Sequence, residues 1–305
     1  MPRPFLYRYG FLVLAPLLAA FVQGVLEECL KSGIGRLYFF SREGWLLEKI
    51  WHLLAPVLHP AAALPRASYL YVSRMALAGA SCAHQGMVQS SADIVFLPAG
   101  NRDFRDLCRV FALDPAPFAP HLARQGLAED TVLSDKHKGY ALENRRRFNL
   151  LFRDPLFQEE VKRQTADSNL ALQRYLEAEG FFAESSVALV DIGWMGTIQR
   201  FLFDAVKHRP DVPACRGYVL AATRGIVFPE EAKNSLRGLL YDRDRFDLAG
   251  SSILYARDLF EEACRAPSPT LNAYALKGAG YELLFRTTED RTLTQIGRAS
   301  CRERV

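Results

Sequence analysis

Hydrophobic and polar positions alternate between two patterns along most of this chain. Short apolar runs rich in aromatic and aliphatic residues occur at Leu37 to Phe40, in SYLYVSRMAL (Ser68 to Leu77), at Val187 to Val190 and in GYVLAATRG (Gly217 to Gly225). Two of them lead into apolar residues at helical spacing: Trp45, Leu46 and Ile50 after the first, and TIQRFLFDAVKHR after the third. Continuous apolar runs of this length read as strands buried on both faces, and strands alternating with helices imply a parallel sheet covered by helices. The expected fold is α/β: a Rossmann-like, mainly parallel sheet flanked by helices, with a helical insertion.

The helical segments carry their own punctuation. FLVLAPLLAAFVQGVLEECLKSG places Pro16 in a first turn, Lys31 in a last turn and Gly33 as a stop, which predicts a buried helix. The run Phe11 to Val22 also imitates an export signal behind Arg3 and Arg8, but it falls short of the ~20 apolar residues of a membrane span. From Ser90 to Gly180 strand patterns disappear. Asn101 is placed to cap NRDFRDLCRVFAL, and Asp154 with Pro155 opens a long helix that closes at Gly180. The organisation read from these shifts is 1–89 as the first part of the α/β domain, 90–180 as a helical insertion or cap, and 181–295 as the second part.

The ten residues 296–305, IGRASCRERV, match an in-frame translation of a common sequencing adapter, so the native sequence is expected to stop near Gln295. Setting them aside removes three of the 38 Lys+Arg and one of the 34 Asp+Glu, bringing the net charge from +4 to +2. That balance argues against a dedicated nucleic-acid binder. With 50% hydrophobic and 24% charged residues the chain can bury a sizeable core. The cysteines are scattered without a CxxC pair, so neither a disulfide framework nor a zinc site is indicated, and a reducing cytoplasm fits.

In a parallel α/β sheet, ligands lie beyond the carboxyl ends of the strands. The residues there are Ser41, Arg42, Glu43 and Gly44; Ser73 and Arg74; Asp191, Gly193, Trp194, Gly196 and Thr197; and Thr223 with Arg224. Small hydroxyls, arginines and glycines converging on one edge suit a phosphate, because Arg pairs bidentately with its oxygens and Gly lets the backbone approach. The competing reading pairs Arg42 and Arg74 with Glu43 or Asp191 as structural bridges. Asp191 has three readings: a ligand for Mg²⁺ or a ribose hydroxyl, an acid/base group, or a helix cap. Trp45 and Trp194 suit either stacking on a ligand or core packing. The six histidines form no HxxxH or HxH pair, Arg145 to Arg147 read as a solvated helix face, and neither a GxSxG elbow nor a GxxxxGK[ST] loop occurs.

APLLAAFVQGVLEE, GRLYFFSREGWLLEKI, YLYVSRMAL, VALVDIGWMGTIQRFL and LFEEACRAPSPTLNAY, in that order, resemble the carboxyl-terminal region of a bacterial family described as haloacid dehalogenase (HAD) superfamily hydrolases, linked or fused to glycosyltransferases in surface-polysaccharide loci. The resemblance covers most of residues 7 to 280, with Glu43 where the family more usually has Asp and Met75 where a second Arg is common. It implies a phosphorylated sugar or nucleotide-sugar as ligand, and a glycosyltransferase or an amino-terminal HAD domain as partner. A HAD phosphatase needs a DxD element after its first strand, and no apolar strand here ends in one. Laying FFSREGWLL over FDxDGTLL puts Ser41 at the nucleophile position and Glu43 at the acid/base position, a degenerate pocket that binds without hydrolysing. The alternative resemblance is to a phosphoribosyltransferase, with VALVDIGWMGT as a shortened phosphate loop and SREG on the pyrophosphate side. A scaffold domain docking a glycosyltransferase is the reading from another class.

Overall fold

The computed structural model describes residues 5–97, 100–135, 141–223, 231–245 and 247–286; Arg224 and the tail 296–305 lie outside them. Five strands form one sheet in the order β2-β1-β3-β4-β5: β1 Arg36–Phe40, β2 Arg66–Leu70, β3 Ser186–Trp194, β4 Ala214–Ala222 and β5 Asn234–Tyr241. Every pairing in it is parallel. The α/β, Rossmann-like expectation holds. The register adds something the apolar runs did not predict. β3 pairs with β1 only as far as Phe39↔Val190, while its pairing with β4 continues through Asp191↔Val219 and Gly193↔Ala221 to Trp194↔Ala222. The middle strand therefore outruns its neighbour by about four residues, and a notch opens above β1.

Helices cover both faces. The chain enters through α1 (Phe5–Tyr9), a π-helical stretch Gly10–Leu14 and α2 (Ala15–Ser32), which stops at Gly33 in the left-handed conformation. Helix thus begins well before Pro16. The span Tyr7–Ser32 has a mean hydropathy of 2.0 and is, by length and composition, long and apolar enough to cross a membrane. Its later half is core: Phe21, Val22, Val25, Leu26 and Cys29 pack with Leu47 and Trp51 of α3 (Gly44–Leu58) against Phe39, Val190 and Leu220 of the sheet. Phe11 and Leu12 of its earlier half are exposed.

On the opposite face, α4 (Arg74–Ala80) leads into the insertion: α5 (Gln89–Phe96), α6 (Phe104–Phe111), α7 (Ala119–Arg124), α8 (Leu142–Leu150) and α9 (Pro155–Ala178). Phe104, Phe111, Phe118, Phe148 and Phe157 are fully buried and belong to the same cluster as Tyr38, Phe40, Leu77 and Leu189. The insertion therefore shares its core with this face of the sheet. Burying such side chains contributes about 1.5–3 kcal/mol each. Asp154 caps α9 as its sequence predicts, accepting from the N–H groups of Leu156 and Phe157, and Gly180 follows its end with a φ of 69°. The cap of α6 is Asp103 rather than Asn101: Asp103 accepts the Asp106 N–H and Asp106 returns the bond, a reciprocal pair unavailable to Asn101 two residues upstream.

After β3 come α10 (Thr197–Val206), then α11 (Leu248–Tyr255) and α12 (Arg257–Cys264), whose Ile253, Phe260 and Cys264 join the α2/α3 face. A hairpin, β6 (Leu271–Lys277) with β7 (Gly280–Phe285), closes the described chain and packs on α9. Neither β5 nor this hairpin carries a continuous apolar run, because each leaves part of its length exposed.

Candidate functional site at the β1/β3 notch

From β1 the chain crosses to β2 on one side of the sheet, and from β3 it crosses to β4 on the other. The carboxyl ends of β1 and β3 therefore flank the point where strand order reverses, the crevice in which open α/β sheets hold ligands. Ser41 to Gly44 turn out of β1 on one side of this crevice. Asp191 to Thr197 form the other side, and Arg74 stands at the start of α4 beyond β2. The topology thus brings together the strand-end residues that the sequence singled out.

Their side chains divide into two groups. The hydroxyls are occupied by the fold: Ser41 Oγ donates to the Val72 carbonyl and accepts the Val72 N–H at 3.1 Å, tying β1 to β2. Ser73 Oγ caps α4 by accepting the Ala76 N–H at 3.0 Å and donates to the Leu271 carbonyl at 2.7 Å. With both lone-pair and proton engaged, neither is poised as a nucleophile. Thr197 is buried at the first position of α10.

The backbone and the charged residues form the second group. Arg42 adopts a φ of 79°, a region costing a non-glycine residue about 1–2 kcal/mol. It is held there from both sides: its N–H donates to Tyr69 Oη at 2.9 Å, and its carbonyl accepts the Ala266 N–H at 3.0 Å. Its guanidinium pairs with Glu43 at 3.0 Å, the structural bridge among the expected readings. Arg74 makes no such bond; among the described residues it has neither a hydrogen bond nor an ion pair. Its side chain is exposed at the rim, yet surrounding protein atoms and then Arg42 lower its pKa, while Glu261 opposes them. Gly44 opens α3 and Gly196, at φ 70°, opens α10; neither helix has a side-chain cap on its first N–H groups. Two helices of 15 and 10 residues that begin without a side-chain cap at the switch point, beside two arginines, are an arrangement suited to an anion.

Asp191 lies in the part of β3 that outruns β1. Its Oδ1 accepts the N–H of Ile192 at 2.7 Å. Although Asp191 is only half-buried by surface, its carboxyl group is crowded by protein. Burial first, then Glu43 and Glu261, push its pKa up to about 8. Burial likewise raises Glu43. Gly193, at φ 147°, lies against β4, where an added Cβ would meet the Ala221 carbonyl oxygen at 2.6 Å. Trp194 donates its indole N–H to Glu261 at 2.8 Å, and Arg257 sits 6.0 Å above its ring. Both strand-end tryptophans keep some exposure, and Lys49 lies over Trp45 at 3.8 Å.

Glu261, Arg257 and Tyr69 were not among the expected site residues. Of the two from α12, Glu261 lies in LFEEACRAPSPT, conspicuous by resemblance but without a strand-end position to mark it, and Arg257 stands two residues before that stretch. Tyr69 sits inside β2, where its hydroxyl gains a role from the tight turn at Arg42 and from Ser268. Among the described residues no group of three or more His, Cys, Asp or Glu converges closely enough to hold a metal ion. A magnesium ion held by Asp191 would need phosphate oxygens and water for the rest of its shell. Compared with known proteins, the chain matches no family model and no curated protein.

Proposed function

We propose that the β1/β3 notch binds the phosphate of a phosphorylated sugar or nucleotide-sugar, and that this chain does so without turning it over. The observation that carries the reading is the pairing of two helix amino termini without side-chain caps with an Arg74 guanidinium that has no hydrogen bond or ion pair among the described residues. Arg42 supplies a second cation, partly neutralised by Glu43. Asp191, protonated at neutral pH by its surroundings, can donate to a sugar hydroxyl or phosphate oxygen; as Mg²⁺ accompanies the phosphate, it would ionise and supply one ligand. Ser41 stands where the resemblance puts a nucleophile, but its proton goes to Val72 and no base faces it among its bonds. The HAD resemblance extends the proposal to surface-polysaccharide biosynthesis in the cytoplasm, alongside a glycosyltransferase or an amino-terminal HAD domain.

The scaffold reading draws on a different observation, the exposed apolar side chains Phe11 and Leu12 in the π-helical stretch Gly10–Leu14. Calorimetric titration of the intact chain with glucose 1-phosphate and UDP-glucose, with and without Mg²⁺, distinguishes the two. Saturable binding without release of phosphate from p-nitrophenyl phosphate is expected. No binding at millimolar ligand favours the scaffold, and turnover abolished by Asp191→Asn would show a working catalytic site.

A further inference from the structure

The insertion holds a cavity that shares no residue with the notch. It is a cleft of about 410 Å³ between the turn before α5 and the α8–α9 junction, within the size range of small-ligand sites. Its wall is built by Gln158. That amide accepts the Met87 N–H at 2.8 Å and donates to the carbonyls of Met87 and Phe152, both at 2.9 Å. Gly86, at φ 78°, is the residue that lets Gln158 approach; a Cβ there would lie 2.2 Å from its Oε1. The backbone on both sides of the cleft is therefore locked by one side chain.

The polar groups facing the cleft are unspent. Asn149 Oδ1 is buried without a hydrogen-bond partner. Gln85, Gln89 and Arg153 line the same space, and their side chains make no hydrogen bond or ion pair among the described residues. Phe152 and Met87 supply the apolar part.

We propose that this cleft binds a pyranose ring carrying one anionic group, such as a uronate. Hydroxyls both donate and accept, so they suit the accessible end of the Asn149 amide whichever way it is turned, together with Gln85 and Gln89. The C–H face of a sugar suits the Phe152 ring, and Arg153 at the rim pairs with a carboxylate. The proposal stands on different residues from the notch and does not depend on it.

Titration followed by calorimetry, using glucuronate and methyl glucoside as probes, tests it. The wild type should bind both saturably and glucuronate more tightly. Arg153→Gln should weaken glucuronate about tenfold and leave methyl glucoside unchanged, and Asn149→Leu should abolish both without lowering the melting temperature. Arg74→Ala, at the notch, should leave both affinities as they are. Absence of saturable binding by the wild type, a melting temperature lowered by Asn149→Leu, or a loss of sugar binding in Arg74→Ala would each overturn it.

Discussion

Along the amino-terminal edge of the sheet, charged side chains are tied down by bonds, with Arg36 Nε the one buried nitrogen among them that lacks a partner among the described residues. Arg209, between α10 and β4, bonds Asp211 through two nitrogens at 2.8 Å and reaches Glu177 at 2.7 Å and Gln173 at 3.0 Å. Arg36 and Tyr38 of β1 both donate to the carbonyl of Glu179. Along the carboxyl-terminal edge the arrangement is reversed. Burial, then Glu43 and Glu261, raise the pKa of Asp191, burial and Glu261 raise that of Glu43, Arg74 has no bonded partner among the described residues, and Arg42 is held at a positive φ. The two edges belong to the same strands and the same core, so packing does not explain the difference. Like-charged carboxyls gathered beside a positive-φ arginine, next to the strand-order reversal, are the arrangement expected where a ligand completes the structure.

Glycine substitutions at the two edges test the contrast most severely. Gly193→Ala drives a Cβ into the Ala221 carbonyl and should cost about 2–4 kcal/mol. Gly33→Ala, at the opposite edge, meets no atom within 4 Å and should cost only the left-handed penalty, about 1 kcal/mol. Urea unfolding of both variants measures the difference, and equal losses would break the comparison.

Arginine truncations should separate in kind. Arg209→Ala should lower stability by about 1.5–3 kcal/mol, since it removes charge-assisted bonds from a network, and leave sugar-phosphate binding intact. Arg74→Ala should leave stability within about 0.5 kcal/mol and weaken glucose 1-phosphate binding ten- to a hundredfold. Denaturation and calorimetry on both proteins check the pair; large destabilisation by Arg74→Ala would make it a structural bridge.

The carboxyl cluster makes a prediction with a sign. Asp191 has an ordinary value of 3.8 and a folded value of about 8, so between those pH values the folded chain holds a proton that the unfolded chain has released. Its contribution to stability is therefore lost as pH rises through that window and levels off above it. Asp191→Asn should remove this slope and gain about 1–3 kcal/mol over the wild type at pH 9 compared with pH 5. A stability difference independent of pH would refute it. Smallest is Glu261→Gln, which takes away one like charge while keeping an acceptor for Trp194; it should move the Asp191 titration, followed by NMR, to lower pH and change stability by less than about 1 kcal/mol.

The sequence alone determined the class of fold, the strands β1 to β4, and the limits of α9 at Asp154 and Gly180, because periodicity and capping act over a few neighbouring residues. It also placed Ser41 to Gly44, Arg74 and Asp191 to Thr197 along one edge, since parallel strands aligned by βα crossovers deliver their carboxyl ends together. Tertiary structure decided which of them are free. Ser41 and Ser73 are bound by Val72 and Leu271, 31 and 198 residues away, while Glu261 comes to the notch on a helix 67 residues beyond Trp194. The overrun of β3 past β1 depends on where two separate strands stop. Such partnerships are set by packing between distant segments, and a hydroxyl or carboxylate carries no local pattern that tells which distant group will meet it.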